Sequence, residues 1–226
     1  MEIRSYTNYM AKLYIVATPI GNLKDISIRA LHTLSEVDLV LCEDTRKTKK
    51  LLDFYDINTR VESYHQHSKI TKINQIIGLL KQDKNLALVS DSGTPGISDP
   101  GNKLIEQVKD ITKIIPIPGS SAITAIASVS GFPMDKFIFL GFPPHKKGRQ
   151  KFFKEVAEQK YPVIIYESPY RIIKTLKELK DFGNFDIVVG RELTKMFETI
   201  YRGKISEIID KIEPKGEFVI ALWKKS

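Results

Sequence analysis

Residues 86–101 read LALVSDSGTPGISDPG, a short apolar run followed by a loop rich in glycine, proline and aspartate. The apolar run is typical of a buried strand that ends where turn residues begin. Glycine lets a backbone approach a ligand closely, and proline makes a loop rigid. Asp99, near the end of the loop, is explained as the cap of the next helix, but the loop is longer than such a connection needs. The stretch therefore predicts a strand that carries a ligand-binding loop.

Strand-like and helix-like runs alternate on both sides of this stretch. LYIVA, DLVLC and IIPI are β-branched and apolar, whereas ISIRALHTLSEV has apolar residues spaced by three and four. A second series runs from FIFLGF through PVIIYES and DIVVGREL to EFVIALW. The alternation predicts an α/β fold with largely parallel sheets, built from two α/β domains. We expect these domains at residues 10–117 and 118–226, a hinge at residues 115–119, and a disordered extension at residues 1–9.

Three further unusual loops follow predicted strands: TPIGN, EDTR and PGSSA. Ligands of open α/β sheets bind beyond the carboxyl ends of the strands, where these loops would meet. PGSSA opens a helix, and a helix N-terminus favours carboxylate or phosphate groups. Simple N-capping by Ser120 or Ser121 also explains that motif and is the stronger explanation when the motif is taken alone.

The charge of the chain favours a polyanionic partner. The net charge is +8, and basic residues cluster at positions 46–50 and 146–154. Lys146, Lys147 and Arg149 are the candidates for phosphate contacts, with a solvated helix face as the competing interpretation. No apolar run is long enough to span a bilayer, and the single cysteine, Cys42, fits the core of a cytoplasmic protein. We therefore expect a cytoplasmic protein with no membrane partner.

Several common catalytic motifs are absent from the sequence. It contains no Walker motif, no G-x-G-x-x-G, no H-E-x-x-H and no zinc-type spacing of cysteine and histidine. No metal ion is expected.

Eight motifs, in order, resemble those of the tetrapyrrole methylase superfamily. They are TPIGNLKDIS, CEDTRKTKKLL, SDSGTPGISDPG, PIPGSSA, LGFPPHKKGR, YESPYR, RELTK and GEFVIAL. The resemblance covers about residues 13–222 and is closest to the ribosomal RNA branch, which methylates the 2′-oxygen of a cytidine in small-subunit RNA. Porphyrin-methylating relatives carry G-D-P where this chain has Gly93, Thr94 and Pro95, so a tetrapyrrole substrate is disfavoured.

The resemblance implies a homodimer that binds S-adenosylmethionine in a cleft between its two domains, and the small ribosomal subunit or its RNA as partner. The cofactor positions that it implies come from both domains: Ile20, Ser92, Gly93, Thr94, Ile97, Ser121, Ala122, Tyr166, Glu167 and Leu193. The sequence departs from the branch at Tyr170, where histidine is frequent. A small C-terminal region found in many members is expected to be missing.

Methyl transfer to a hydroxyl needs a group that accepts the hydroxyl proton. In EDTR, Asp44 is the candidate base and Arg46 a candidate phosphate contact, while capping of the next helix explains Asp44 almost as well. Three alternative functions stay open. They are a corrin or porphyrin C-methyltransferase, a protein methyltransferase similar to diphthine synthase, and a non-catalytic RNA-binding module that would not need the glycine-rich loop.

Overall fold

A computed structural model of the chain describes residues 11–65, 68 and 70–224, which divide into two compact units between Ser120 and Ser121. The extension predicted at residues 1–9 lies outside the described residues. The hinge predicted at residues 115–119 begins too early, because residues 115–117 form hydrogen-bonded pairs within a strand. Pro116 is tolerated there because that strand lies at the edge of its sheet.

Unit 1 alternates strands and helices, and its five strands are parallel. The elements are β1 (Lys12–Val16), α1 (Ile28–Glu36), β2 (Leu39–Cys42), α2 (Thr45–Phe54), β3 (Val61–Ser63), α3 (Ile70–Lys81), β4 (Leu86–Val89), α4 (Asn102–Val108) and β5 (Lys113–Ile117). The strand order is β3-β2-β4-β1-β5. All five strands therefore end at the same edge, which confirms the predicted parallel sheet for this unit.

Two apolar layers cover the sheet of unit 1, which explains why its central strands are apolar throughout. Every residue of β2 and β4 is buried. Leu34 of α1 and Leu52 of α2 pack in one layer, and Ile76 of α3 and Leu104 of α4 pack in the other. Cys42 is fully buried in the first layer, as predicted for a small core residue.

Unit 2 has a mixed sheet. Its elements are α5 (Ala122–Ser130), β6 (Ile138–Phe139), α6 (Arg149–Glu158), β7 (Val163–Glu167), α7 (Ile172–Phe182), β8 (Asp186–Arg191), β9 (Thr199–Lys204), α8 (Ile205–Ile208) and β10 (Phe218–Trp223). The strand order is β6-β7-β10-β8-β9. The last strand, β10, runs antiparallel to β7 and to β8. Consequently β6, β7 and β8 all end at one edge, where β10 begins.

The α/β class is confirmed, with two differences in unit 2. Three of its four strand pairings are antiparallel, so the expectation of a largely parallel sheet is wrong for this unit. The sequence analysis did not predict β9, which pairs antiparallel with β8 along six residues. An edge strand such as β9 is half exposed, so the apolar signal of a buried strand is missing from TIYRGK. No helix in the described part of the chain is long and apolar enough to cross a membrane.

Candidate functional site

The loop after β1 and the loop after β4 are joined at the carboxyl edge of the sheet of unit 1. The Thr18 N–H donates to the Gly93 carbonyl at 2.9 Å, and the Gly93 N–H donates to the Thr18 carbonyl at 3.1 Å. The Ser90 hydroxyl also donates to the Gly93 carbonyl, at 3.2 Å. Gly93 has a φ of +79°, a conformation in which a side chain is strained. These hydrogen bonds therefore hold the glycine-rich loop in a defined conformation.

The loop after β5 reaches the same edge through a close backbone approach. A Cβ atom on Gly119 would lie 3.0 Å from the Cβ of Ala17 and 3.4 Å from its carbonyl oxygen. The Ser120 hydroxyl donates to the Asp25 carbonyl at 3.0 Å. A side chain at position 119 would therefore have to displace Ala17 slightly, because the two loops touch there.

All five of the predicted cofactor residues in unit 1 lie in or beside the glycine-rich loop, Gly93 included. Ser92 and Ile97 are exposed, and Thr94 is half-buried. Ile20 is buried, and its Cγ2 lies 3.5 Å from the position of a Cβ on Gly93. The structure therefore brings Ile20 to the glycine-rich loop, and the cofactor contacts of these residues stay predictions.

The helix α5 begins without a side-chain cap. Ser121 is its N-cap residue but makes no capping hydrogen bond, and the Ser120 hydroxyl is occupied by Asp25. The interpretation of PGSSA as simple N-capping is therefore wrong. The first N–H groups of a nine-residue helix, from Ala122 onward, receive no help from the side chain of Ser121.

Asp44 is placed as a helix cap and not as a base. Its Oδ1 accepts from the Arg46 backbone N–H at 2.9 Å, and its Oδ2 lies 2.7 Å from Nη2 of Arg46. These hydrogen bonds hold the pKa of the Asp44 carboxyl well below its usual range. A carboxylate with so low a pKa is a weak proton acceptor. The structure thus disfavours Asp44 as the base. The Arg46 side chain, predicted to contact a phosphate, forms an ion pair with Asp44.

Three other carboxylates gather at the ends of β2 and β4. The Asp91 carboxylate accepts from the Asp44 backbone N–H at 3.0 Å and pairs with Lys47 at 2.7 Å. Burial raises the pKa of Glu43, and the negative charge of Asp91 raises it further. The Oε1 atom of Glu43 is buried and has no hydrogen-bond partner among the residues that the structure describes. Burial also raises the pKa of Asp99 to about 6, aided by the charges of Glu43 and Asp91.

Asp99 does not cap the helix that follows it, so that expectation is wrong. The N-cap of α4 is Gly101, with no side-chain capping bond. A carboxyl that caps a helix normally has a lowered pKa, whereas that of Asp99 is raised. Sequence reasoning missed Asp99 as a candidate base because a role as helix cap explained it fully.

In unit 2, a buried polar network uses Glu167. Its carboxylate accepts from the Ser168 backbone N–H at 2.7 Å and from the Thr175 hydroxyl, and it pairs with Arg171 at 2.8 Å. The Thr175 hydroxyl also accepts from Nη2 of Arg149 at 2.9 Å. Glu167 was predicted to contact the cofactor, but its side chain is already engaged within this unit.

Arg149 does not fit its predicted role as a phosphate contact. Its guanidinium is buried, pairs with Glu178, donates to the Pro144 carbonyl at 2.9 Å and lies over the Phe153 ring. Lys146 and Lys147 lie just before α6 and are exposed, so they are available to a phosphate. The basic cluster thus contains a core arginine beside two surface lysines.

Tyr166 and Leu193 both lie near the ends of strands in unit 2. The Tyr166 ring packs edge-on against Phe139, with centroids 4.9 Å apart, and lies 5.4 Å from the Phe142 ring. Leu193 is buried close to Gly190, where a Cβ would lie 2.9 Å from Cδ2 of Leu193. Their predicted cofactor contacts stay predictions. Among the described residues, no group of three or more histidine, cysteine, aspartate or glutamate side chains is arranged to hold a metal ion.

Residues 12–209 match the family model described as tetrapyrrole (corrin/porphyrin) methylases. The chain is 44% identical over 221 residues to the Thermotoga maritima protein named ribosomal RNA small subunit methyltransferase I, with 96% of this chain and 100% of that protein covered. It is 46% identical to the Mycoplasmopsis pulmonis protein of the same name, with 96% and 99% covered.

The fold also matches a solved structure of cobalt precorrin-4 methyltransferase, a cobalamin biosynthetic enzyme. The TM-score is 0.69 at 19% identity, with 94% of this chain and 95% of that chain covered. At this identity the likeness shows a shared fold. Taken with the family match and the relatives, it shows that the chain belongs to the tetrapyrrole (corrin/porphyrin) methylase family, within the group of proteins named ribosomal RNA small subunit methyltransferase I.

Proposed function

We propose that this protein transfers a methyl group from S-adenosylmethionine to the 2′-oxygen of a cytidine ribose in small-subunit ribosomal RNA. The observation that carries the proposal is the identity of 44% to 46%, over nearly the whole chain, with methyltransferases named for that RNA. A ribosomal RNA substrate supports a cytoplasmic location. The family resemblance supports a homodimer.

The residues present fit S-adenosylmethionine. In unit 1, the left-handed backbone of Gly93 is fixed by its hydrogen bonds to Thr18, and Ser92 beside it is exposed to a ligand. Buried Ile20 gives the same loop an apolar neighbour. In unit 2, the N-terminus of α5 at Ser121 and Ala122 has N–H groups suited to a carboxylate. We propose these residues, with Thr94 and Ile97, as cofactor contacts.

When bound, S-adenosylmethionine supplies an electrophilic methyl group on a positively charged sulfur. Transfer would join the ribose 2′-oxygen to the methyl carbon while the carbon–sulfur bond breaks, with the electron pair of that bond staying on sulfur. The hydroxyl proton must then leave for a base, and we propose Asp99 for this role in place of Asp44. A carboxylate with a pKa of about 6 is a better proton acceptor than an ordinary one and is still ionised at neutral pH.

Two residues near Asp99 support its role. Burial raises its pKa most, and the charges of Glu43 and Asp91 raise it further, so that a proton accepted by Asp99 is stabilised by the negative charges around it. Lys47 pairs with Asp91 and limits the repulsion. No step in this scheme requires a metal ion.

The test is methyl transfer from labelled S-adenosylmethionine by the whole protein to small ribosomal subunits from cells that lack its gene. We expect label in the small-subunit RNA, with resistance to alkaline cleavage at the modified nucleotide because a 2′-O-methyl group blocks it. Uroporphyrin and the total protein of the same cells serve as competing acceptors. Label in the tetrapyrrole or in protein, with none in RNA, would show that RNA is not the substrate and would contradict the proposal.

A further inference from the structure

Four large apolar side chains are exposed on loops at one edge of the sheet of unit 2. Phe142, Tyr170, Met196 and Phe197 expose 50%, 96%, 90% and 68% of their surface, respectively. They follow β6, β7 and β8, and these strands end at the same edge of the sheet. Since neighbouring strands are about 4.8 Å apart, the edge from β6 to β8 spans roughly 15 Å. We call Phe142, Tyr170 and Phe197 the aromatic platform.

The loops that carry the aromatic platform are held rigidly. Arg171 pairs with buried Glu167 and donates to the Pro143 carbonyl at 3.0 Å, which ties the loop after β7 to the loop after β6. In the loop after β8, Arg191 donates to the Phe197 carbonyl at 3.4 Å and to the Lys215 carbonyl at 2.8 Å.

The loop after β8 adopts an unusual backbone that turns its apolar side chains outward. Glu192 and Thr194 both have positive φ, at 52° and 69°, although neither is glycine. The Thr194 N–H donates to a carboxylate oxygen of Glu198 at 2.6 Å. Large apolar residues displayed together on a surface mark a binding site.

The charges around the aromatic platform favour a polyanion. Three of its acidic neighbours are paired: Lys195 lies 2.9 Å from both Glu192 and Glu217, and Arg191 lies 2.9 Å from Glu213. A fourth, Glu198 beside Phe197, is exposed and accepts from the Thr194 N–H. Lys146 and Lys147 are exposed on the loop that follows Phe142, and neither makes an ion pair with a described carboxylate.

We infer that the aromatic platform binds single-stranded RNA by stacking unpaired bases on its rings, while Lys146 and Lys147 contact the adjacent phosphates. Aromatic side chains bind splayed bases whatever their identity, and single-stranded segments are the RNA that proteins can read by stacking. The inference deepens the proposed function and rests on its RNA substrate. Base-paired RNA, with its bases stacked on each other, has no exposed base face for the platform.

The test uses the whole protein and compares Tyr170→Ala, Phe197→Ala and the double variant with wild type. Binding of a fluorescent single-stranded RNA, with the small-subunit sequence around the methylated cytidine, is measured by anisotropy. The same sequence in a full duplex is measured in parallel. We expect each alanine variant to bind the single strand about five- to a hundredfold more weakly, because stacking on one ring contributes that much. Binding of the duplex should stay unchanged.

Two controls separate stacking from general damage. Tyr170→Phe keeps the ring and should bind as wild type does. Tyr161 is also exposed, but it comes just before β7, at the opposite edge of the same sheet, and Tyr161→Ala should leave RNA affinity unchanged. Equal loss with Tyr161→Ala, or unchanged affinity in the double variant, would overturn the inference.

Self-association is the other use of this edge, and light scattering on the same samples tests it. If the double variant has half the mass of wild type in solution but keeps the wild-type RNA affinity, the edge is an interface between copies and the inference fails. If the platform binds RNA as expected but wild type methylates no RNA, the proposed function fails and the platform stands.

Discussion

Asp99→Asn should produce a protein that is more stable and less active than wild type near pH 8. Burial and the charges of Glu43 and Asp91 raise the pKa of Asp99 from 3.8 to about 6. Each unit of pKa corresponds to about 1.4 kcal/mol, so holding this carboxylate ionised in the folded protein costs up to about 3 kcal/mol. Asparagine has the same shape without the charge. Allowing for lost hydrogen bonding to Ser90 and for solvent screening, we expect a gain of about 1–2 kcal/mol.

The pH dependence gives the effect its sign. The folded protein binds the Asp99 proton more tightly than the unfolded chain, because the folded pKa is the higher one. The stability that the folded protein gains from protonation of Asp99 is therefore complete below about pH 4 and is lost as the pH rises through about 6. The advantage of Asp99→Asn should accordingly be smaller by about 1 kcal/mol at pH 5 than at pH 8. Urea denaturation of both proteins at the two pH values measures it.

The activity of the same variant tests the proposed base. Single-turnover methylation should fall by about a hundredfold or more in Asp99→Asn. In wild type, the rate should rise with pH and level off above about 6, where Asp99 is ionised. Asp44→Asn is the matched control, since asparagine also caps helices and should keep the rate and its pH profile. If Asp99→Asn is less stable than wild type at both pH values and methylates at the wild-type rate, Asp99 is neither strained by its charge nor the base.

Three further predictions concern the cofactor loop, the basic cluster and the oligomer. Gly93→Ala forces a side chain into a φ of +79°, so calorimetry should show at least tenfold weaker binding of S-adenosylmethionine with the circular dichroism unchanged; wild-type affinity would remove Gly93 from the cofactor site. The double variant Lys146→Ala with Lys147→Ala should lower the slope of log affinity for single-stranded RNA against log salt by about 1.4. Arg149→Ala should instead cost about 3–5 kcal/mol of stability, because it leaves Glu178 unpaired. A lower salt slope with Arg149→Ala, and a loss of stability with the two lysine changes, would show that Arg149 contacts the RNA. Light scattering at micromolar concentration should give the mass of a homodimer, and a monomer mass would contradict that proposal.

Local sequence was sufficient to predict the elements whose pattern matches their burial. The strand β4 is buried on both faces and therefore apolar throughout, and α1 and α2 carry one apolar stripe each. The strand β9 was not predicted, because its exposure at the sheet edge gives it no such apolar pattern. The clustering of loops at strand ends followed from the parallel topology alone.

The roles of individual charged residues could not be predicted because they depend on distant partners. Arg149 has the sequence context of a surface cation, yet Thr175 and Glu178, 26 and 29 residues away, draw it into the core. Asp44 and Asp99 each precede a predicted helix, and only the structure shows that one caps its helix while the other is buried near two carboxylates. Burial and long-range pairing decide the pKa of such groups, and neither is written in the local sequence.

The positions of Cys42 and Trp223 give each unit a natural reporter of its own unfolding. The single thiol is buried in the core of unit 1, and burial raises its pKa, so it reacts with a thiol reagent only when that unit opens. The single tryptophan lies in β10 of unit 2, with its ring 5.9 Å from Phe132, so its fluorescence follows that unit. Thiol labelling and tryptophan emission, recorded in one urea titration of the unaltered protein, give coincident midpoints if the units unfold as a single cooperative body and separate midpoints if they do not.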